Sequence, residues 1–184
     1  FYISKLDEEH GDFYKVLGDL QAKYGSIVCP VVAPMSDGTG VIDLVHNVAY
    51  QTKGGKTAKI PVPAADADKV AELREALMET AAGASEELME KYFEEMELCE
   101  ADIVTGIKLG MKDRSVVPVV CGAAMANIGT EAVLQAVCDY VPAPDVDPAA
   151  PTLAFVFKTV SDQFGKYSFV KVMGGKITAD MSLR

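Results

Sequence analysis

Two short segments, far apart in the sequence, carry groups that could bind one small ligand together. Residues 4–7 (Ser-Lys-Leu-Asp) follow an apolar run at 1–3, and residues 122–124 (Gly-Ala-Ala) follow an apolar run at 116–121. Each run is typical of a buried strand, and a helical pattern comes after each. Because ligands of open parallel sheets bind beyond the carboxyl ends of the strands, we expect the two segments to converge if their strands are neighbours.

The polar groups of these segments suit a guanine base. The carboxylate of Asp7 can accept two hydrogen bonds, and guanine presents a ring N–H beside an exocyclic amine, a pair that adenine lacks. The aliphatic stem of Lys5 can lie against the base or the sugar, and the glycine–alanine loop leaves backbone N–H groups for the base carbonyl. The candidate guanine-binding residues are Ser4, Lys5, Asp7, Gly122, Ala123 and Ala124.

Taken one at a time, these residues are more typical of ordinary structure than of a binding site. Lys5 and Asp7 could be surface charges, and residues 122–124 could be a plain turn between a strand and a helix. The combination is more informative, because both segments follow a predicted strand and precede a predicted helix.

Periodicity predicts an α/β organisation around the two segments. Apolar residues recur at helical spacing over residues 12–24, and Gly25 is a plausible end for that helix. The β-branched run at 116–120 predicts a buried parallel strand, and residues 130–140 predict another helix.

The residues between these units predict an inserted subdomain. Residues 27–34 contain two prolines and predict an edge strand, residues 41–52 predict one strand, and the Lys-Gly-Gly-Lys turn at 53–56 predicts a hairpin. Helical patterns follow at 65–82, then from Ser85, and then in a third helix that ends at Gly110.

Composition excludes several classes of protein. The net charge of −10 is the wrong sign for a protein that coats nucleic acid, so we expect no direct sequence-specific nucleic-acid binding. No apolar run approaches the ~20 residues of a membrane span.

The cysteines lack zinc-site spacing, so no metal site is predicted. Apolar neighbours predict that Cys29, Cys121 and Cys138 are buried free thiols, as in a reducing, cytoplasmic compartment.

Residues 3–7 (Ile-Ser-Lys-Leu-Asp) resemble the Asn-Lys-x-Asp motif by which GTPases recognise guanine. Further segments resemble bacterial elongation factor G and its relatives, in the same order and over nearly the whole chain. These segments are residues 4–7 with 12–14, 87–92, 117–124, 139–142 and 153–158.

The resemblance implies an α/β fold: part of a P-loop GTPase-type parallel sheet with an inserted α+β subdomain, followed by the first strands of a β-barrel domain. Residues 1–26 and 115–141 would form the C-terminal part of the GTPase domain. Residues 27–114 would form the insert, residues 142–150 a proline-rich linker, and residues 151–184 the start of the second domain.

The resemblance also implies a role for each candidate. Asp7 would pair with guanine, Lys5 would pack on the base or ribose, and Ala124 would donate its backbone N–H to the base carbonyl. Two residues depart from the family pattern. Ser4 stands where the family has Asn, and Ala123 stands where a Ser is usual.

The implied function belongs to an intact protein that would bind GTP or GDP with Mg²⁺ and couple hydrolysis to ribosomal translocation or recycling. The chain contains no G-x-x-x-x-G-K-[ST] loop, so we expect an internal fragment without catalytic residues or Mg²⁺ ligands of its own. The implied partners are the ribosome and, through residues 65–82, its stalk protein. The alternatives are a ribosome-protection or release-factor type of relative and a non-catalytic interaction module.

Overall fold

The computed structural model describes residues 1–182, and the chain divides into two units, Phe1–Val141 and Pro142–Arg184. The first unit contains, in order, β1 (Tyr2–Ile3), α1 (Phe13–Tyr24), β2 (Val28–Pro30), β3 (Val32–Pro34), β4 (Gly40–Asp43), β5 (Val48–Lys53), β6 (Lys56–Pro61), a 3₁₀ turn (Ala64–Asp66), α2 (Ala67–Ala82), α3 (Glu86–Glu95), α4 (Glu100–Asp113), β7 (Val117–Cys121) and α5 (Thr130–Tyr140). The second unit contains β8 (Leu153–Asp162) and β9 (Gly165–Gly174).

The first unit contains a parallel sheet with the strand order β1–β7–β2. The central strand, β7, is the β-branched run expected of a buried parallel strand, and its residues Val119 and Cys121 are fully buried. This parallel sheet, together with separate antiparallel sheets, confirms the predicted α/β fold class.

A separate antiparallel sheet with the order β3–β4–β5–β6 is formed by residues that lie in the sequence between β2 and β7, and we call it the inserted sheet. Gly54 and Gly55 join β5 to β6 with φ angles of 57° and 74°, as a tight hairpin requires, which confirms the predicted turn. The prediction of one strand over residues 41–52 is wrong, because β4 and β5 are separated by a turn. The turn residues Leu44 and Val45 are apolar and fully buried, so the sequence pattern did not distinguish the turn from the strands on either side of it.

The proline-containing range 27–34 holds two edge strands, one in each sheet. Its central residue, Val31, donates its N–H to the Val119 carbonyl (2.9 Å) and accepts from the Leu44 N–H (3.0 Å). The edge position that the prolines predicted is confirmed, because β2 and β3 are the outer strands of their sheets. The structure therefore places β2 in the parallel sheet, although its residues lie within the range predicted for the insert.

Helices α2 and α4 pack closely against each other, and they contact β2 and β7 of the parallel sheet. Leu77 of α2 and Ile103 and Ile107 of α4 are fully buried, and each such side chain contributes roughly 1.5–3 kcal/mol on burial. Gly106 of α4 lies against the backbone of Ala81, where a Cβ atom would stand 2.3 Å from the carbonyl oxygen. A glycine is therefore what allows the two helices to approach.

The predicted helix ends agree with the structure at three points and differ at one. The Asp12 carboxylate caps α1 by accepting from the Lys15 N–H (3.0 Å), Gly25 follows the last turn of α1, and the Ser85 hydroxyl caps α3. By contrast, α4 does not end at Gly110 but continues to Asp113. None of the helices within residues 1–182 is long and apolar enough to cross a membrane.

The four cysteines are free thiols with different environments. Cys29 and Cys121 are buried as predicted, and burial raises the pKa of the Cys29 thiol to about 12 and that of Cys121 further. The predicted burial of Cys138 is wrong, because this residue is exposed on α5. Its apolar neighbours Leu134 and Val137 are themselves at least half exposed, so an apolar surface was mistaken for core.

The second unit contains a β-hairpin formed by β8 and β9. The Asp162 carboxylate closes the turn by accepting from backbone N–H groups of the next residues. The whole range predicted as a linker, 142–150, falls within this unit, and Gly175 donates its N–H to the Asp147 carbonyl (2.9 Å).

We predict that Gly106→Ala lowers the free energy of unfolding by roughly 1–3 kcal/mol, because the added methyl would press on the Ala81 backbone. The loss should appear in urea unfolding monitored by circular dichroism, although alanine is the better helix former.

Gly18→Ala in α1 is the matched control. No atom lies within 4 Å of the position that its Cβ would take, so the same substitution should raise stability by roughly 0.5–1 kcal/mol through helix propensity. If both variants were stabilised alike, the close contact between α2 and α4 would be refuted.

Candidate functional site

The two predicted ligand-binding loops lie side by side at the same edge of the parallel sheet. Ile3, the last residue of β1, is paired with Cys121, the last residue of β7. Beyond the strands, Gly122 donates its N–H to the Ile3 carbonyl (3.1 Å), and Leu6 donates its N–H to the Gly122 carbonyl (3.4 Å). The expected convergence of residues 4–7 with residues 122–124 is therefore confirmed.

The first loop, residues 4–11, turns back on itself through backbone hydrogen bonds. Lys5 has a left-handed φ of 64°, and its carbonyl accepts from the Glu8 N–H (3.2 Å). The Glu8 carbonyl accepts from the Gly11 N–H (2.9 Å), and a Cβ at Gly11 would stand 2.4 Å from the Lys5 carbonyl oxygen. Glycine at position 11 thus lets the loop close and directs the chain into α1.

The second loop, residues 122–129, is a compact turn between β7 and α5. Ala123 and Ile128 exchange two backbone hydrogen bonds of 2.9 and 3.0 Å, and Gly129 ends the turn with a φ of 82°. Ala124 stands at the exposed tip, and within residues 1–182 its N–H donates to no backbone carbonyl. The turn therefore presents the Ala124 N–H as a free backbone donor at the rim.

The six candidates share the two loops but differ in exposure and in surroundings. Ser4 and Lys5 line a shallow cavity of about 320 Å³ with the start of α1. Asp7 lies at the exposed rim outside that cavity. The ammonium group of Lys5 is 3.8 Å from Glu8, but such an exposed pair contributes little. Exposed candidates are Ser4, Lys5, Asp7 and Ala124, and buried ones are Gly122 and Ala123.

Sequence reasoning missed Tyr2, which lies between the two loops. A Cβ at Gly122 would stand 2.8 Å from the Tyr2 hydroxyl oxygen. Partial burial raises the pKa of Tyr2, and nearby Cys121 and Asp7 raise it further. The alternation of side chains along β1 is the signal that could have identified Tyr2. Successive side chains of a strand point to opposite faces, so the side chain of Tyr2 lies on the face opposite to that of the buried Ile3.

A larger cavity of about 920 Å³ lies beside the first loop and was not predicted. Buried Asp66 accepts a hydrogen bond from the Ser36 N–H (2.9 Å) at its wall, and the Lys69 ammonium lies 5.3 Å from the centre of the Tyr14 ring. Its lining mixes both charge signs and comes from several separate segments, which explains why no sequence pattern revealed it. His10 and Gly11 line both this cavity and the smaller one.

A chain of polar contacts links the turn after β4 to α5, the helix that follows the second loop. Buried Asp43 accepts from the backbone N–H groups of Val45 and His46 and lies 2.8 Å from the His46 Nδ1. The His46 Nε2 is 3.6 Å from Asp139 on α5. These contacts tie the turn after β4 to the helix that follows the second loop.

We predict that Gly122→Ala opens the second loop. The added Cβ would stand 2.5 Å from the Ile128 carbonyl oxygen, which belongs to the backbone pair with Ala123. Stability should fall by roughly 1–3 kcal/mol, and amide exchange at Ala123 and Ile128 should accelerate when followed by NMR.

Met125→Ala in the same loop is the control, because Met125 is 99% exposed and its loss should change stability by less than about 0.5 kcal/mol. Unchanged amide exchange at Ala123 and Ile128 in Gly122→Ala would contradict the described turn.

No protein-family model matches the chain. A crystal structure of a protein from Thermus thermophilus is similar to the chain, with a TM-score of 0.78 and 26% sequence identity. The match covers 95% of this chain and 27% of the Thermus chain. The chain therefore shares its α/β fold with that protein over nearly all of its own length, and it spans about a quarter of the length of the Thermus protein.

Proposed function

We propose that this chain is the guanine-recognition part of a translational GTPase similar to elongation factor G, with its inserted subdomain and the start of its second domain. The observation that carries the proposal is the hydrogen bond from the Leu6 N–H to the Gly122 carbonyl. It joins the loop of Asp7 to the loop of Ala124 at one edge of the parallel sheet, where such folds bind ligands.

Each loop offers the chemistry that a guanine base requires. The exposed Asp7 carboxylate accepts from the ring N–H and the exocyclic amine, and the free N–H of Ala124 donates to the base carbonyl. The stem of Lys5, which is exposed beside Asp7, covers one face of the base or the ribose. Three contacts from two loops would distinguish guanine from adenine.

The nucleotide in this proposal is GTP or GDP, whose phosphates would be held by a glycine-rich loop in a longer, cytoplasmic protein. The ligands of the expected Mg²⁺ would belong to the same longer protein, and within residues 1–182 no three His, Cys, Asp or Glu side chains cluster in a way that could hold a metal ion. The Thermus match, which covers 27% of the longer chain, supports a segment of a larger protein. The intact protein would couple GTP hydrolysis to ribosomal translocation or recycling.

Residues 65–82 would contact the ribosomal stalk in this proposal. They include α2, whose charged side carries the exposed residues Glu72, Glu75 and Glu79. Because acidic side chains dominate this side, an acidic stalk protein would have to bind through apolar contacts rather than through charge attraction.

A non-catalytic interaction module is the second candidate. The observation that favours it is the 920 Å³ cavity, which is lined by none of the six candidate guanine-binding residues. Large concave cavities are the usual place for ligands, so a module would use this cavity rather than the rim at Asp7.

We predict that the 184-residue chain alone binds GDP more weakly than the micromolar range, because phosphate contacts provide most of the affinity for a nucleotide. Isothermal titration calorimetry with GDP would check this. Micromolar binding by the isolated chain would contradict the proposal that the phosphates are held elsewhere.

We predict that Asp7→Asn changes base selectivity in the intact protein. An amide offers one donor and one acceptor, which match xanthine and leave one guanine donor unpaired. The ratio of GDP to XDP affinity should fall by about ten- to hundredfold, as for the loss of a bidentate base contact.

Glu9→Gln is the matched control, because Glu9 is an exposed carboxylate of the same loop without an assigned role. Its GDP-to-XDP ratio, from competition with a fluorescent nucleotide, should match that of the unchanged protein. An Asp7→Asn variant with an unaltered ratio would support the interaction module instead.

A further inference from the structure

The surface at the start of α3 forms a concave, partly apolar groove that is lined by none of the six candidate guanine-binding residues. The cavity measures about 370 Å³, and the aromatic ring of Phe93 at its wall is 70% exposed. We call this surface the α3 groove. It is lined by Gly83, Ser85, Glu86, Met89, Glu90 and Phe93.

Helical geometry explains why these side chains share one face. Leu88 and Tyr92 are buried against the rest of the first unit and fix the inward side of α3. Glu86, Glu90 and Phe93 stand at spacings of four and three residues, so they line up along an outward side. The acidic and apolar groups of the groove are therefore held on a rigid helix.

The groove carries uncompensated negative charge. Among the ion pairs of residues 1–182, none includes Glu86 or Glu90. The nearest cation in the sequence of α3, Lys91, is bound instead by Asp102 of α4 at 2.5 Å. The hydrogen bond to Asp102 raises the pKa of Lys91, so this lysine stays charged and engaged away from the groove.

This combination of charges and apolar surface selects the chemistry of a partner. Arginine and lysine carry an apolar stem that can lie on Phe93 and Met89, with a cationic end that can reach the carboxylates of Glu86 and Glu90. A cation over an exposed aromatic ring is also attracted to its face. Nucleic acid and anionic membranes are repelled by the same carboxylates.

We propose that the α3 groove docks a basic, amphipathic segment of a partner protein, with one apolar side chain between Met89 and Phe93 and arginine or lysine side chains against Glu86 and Glu90. A cavity of 370 Å³ holds one or two side chains, so the contact is small and transient rather than obligate. The proposal rests on α3 alone and is independent of guanine recognition at Asp7.

Binding of a synthetic peptide to the 184-residue chain tests the proposal. The probe is a fluorescein-labelled helical peptide with paired arginines separated by leucines, and its counterpart carries glutamate in place of arginine. At about 0.15 M salt, where exposed long-range attraction is screened, the arginine peptide should bind and the glutamate peptide should not. Fluorescence anisotropy gives both affinities.

Two variants of the groove should weaken arginine-peptide binding by about tenfold or more, the size of a central interface contact. One is Phe93→Ala, and the other combines Glu86→Lys with Glu90→Lys. The matched control combines Glu87→Lys with Glu94→Lys, which makes the same change of charge on the same helix outside the groove lining. The control should lose less than about threefold, since it leaves the contact surface intact.

Equal losses in the two double variants would overturn the proposal, because they would show attraction to net charge alone. Full binding by Phe93→Ala would overturn it as well. A third contrary result is a dimer of the unchanged chain in sedimentation experiments that Phe93→Ala dissociates, which would assign the groove to a second copy. Circular dichroism melting of each variant separates loss of binding from loss of folding.

Discussion

Strand β7 is hydrogen-bonded along both edges, and this double pairing is the constraint on which the site depends. On one edge Val120 donates its N–H to the Phe1 carbonyl (3.0 Å), and on the other the Val119 carbonyl accepts from the Val31 N–H (2.9 Å). Because β1 and β7 run parallel, their carboxyl ends meet at one edge of the sheet. The adjacency of the two loops therefore follows from backbone register and needs no contact between their side chains.

The same strand anchors the inserted sheet. Val31 donates to β7 and accepts from Leu44 just beyond β4, so a single residue belongs to the hydrogen bonding of both sheets. The buried thiol of Cys121 adds a contact to the Val32 carbonyl at 3.5 Å. One continuous apolar core then extends from the parallel sheet to α2 and α4. A shift of the inserted sheet would have to break these bonds or move β7 and the loop that follows it.

Sequence patterns predicted those elements whose signals are local. The helical period of α1, the β-branched run of β7 and the glycine pair between β5 and β6 each depend on a few neighbouring residues. The patterns failed where tertiary contacts decide the outcome. The turn at Leu44 and Val45 looked like a strand because it is buried, and Cys138 looked buried because apolar residues surround it on an exposed face. The division of residues 27–34 between two sheets depends on the partners of Val31, which no local pattern contains.

At the candidate site, sequence predicted the meeting of the loops but not how they are held. In the proposed function, Ser4 replaces a family Asn whose amide bridges the base and the phosphate loop, and Ala123 replaces a Ser. The loops nevertheless stay in place, because the bond from Leu6 to Gly122 and the pair between Ala123 and Ile128 use main-chain groups. In that proposal the two departures would remove ligand contacts without removing the scaffold. Their effect should fall on affinity and base selectivity, while the positions of Asp7 and the second loop stay fixed by the sheet.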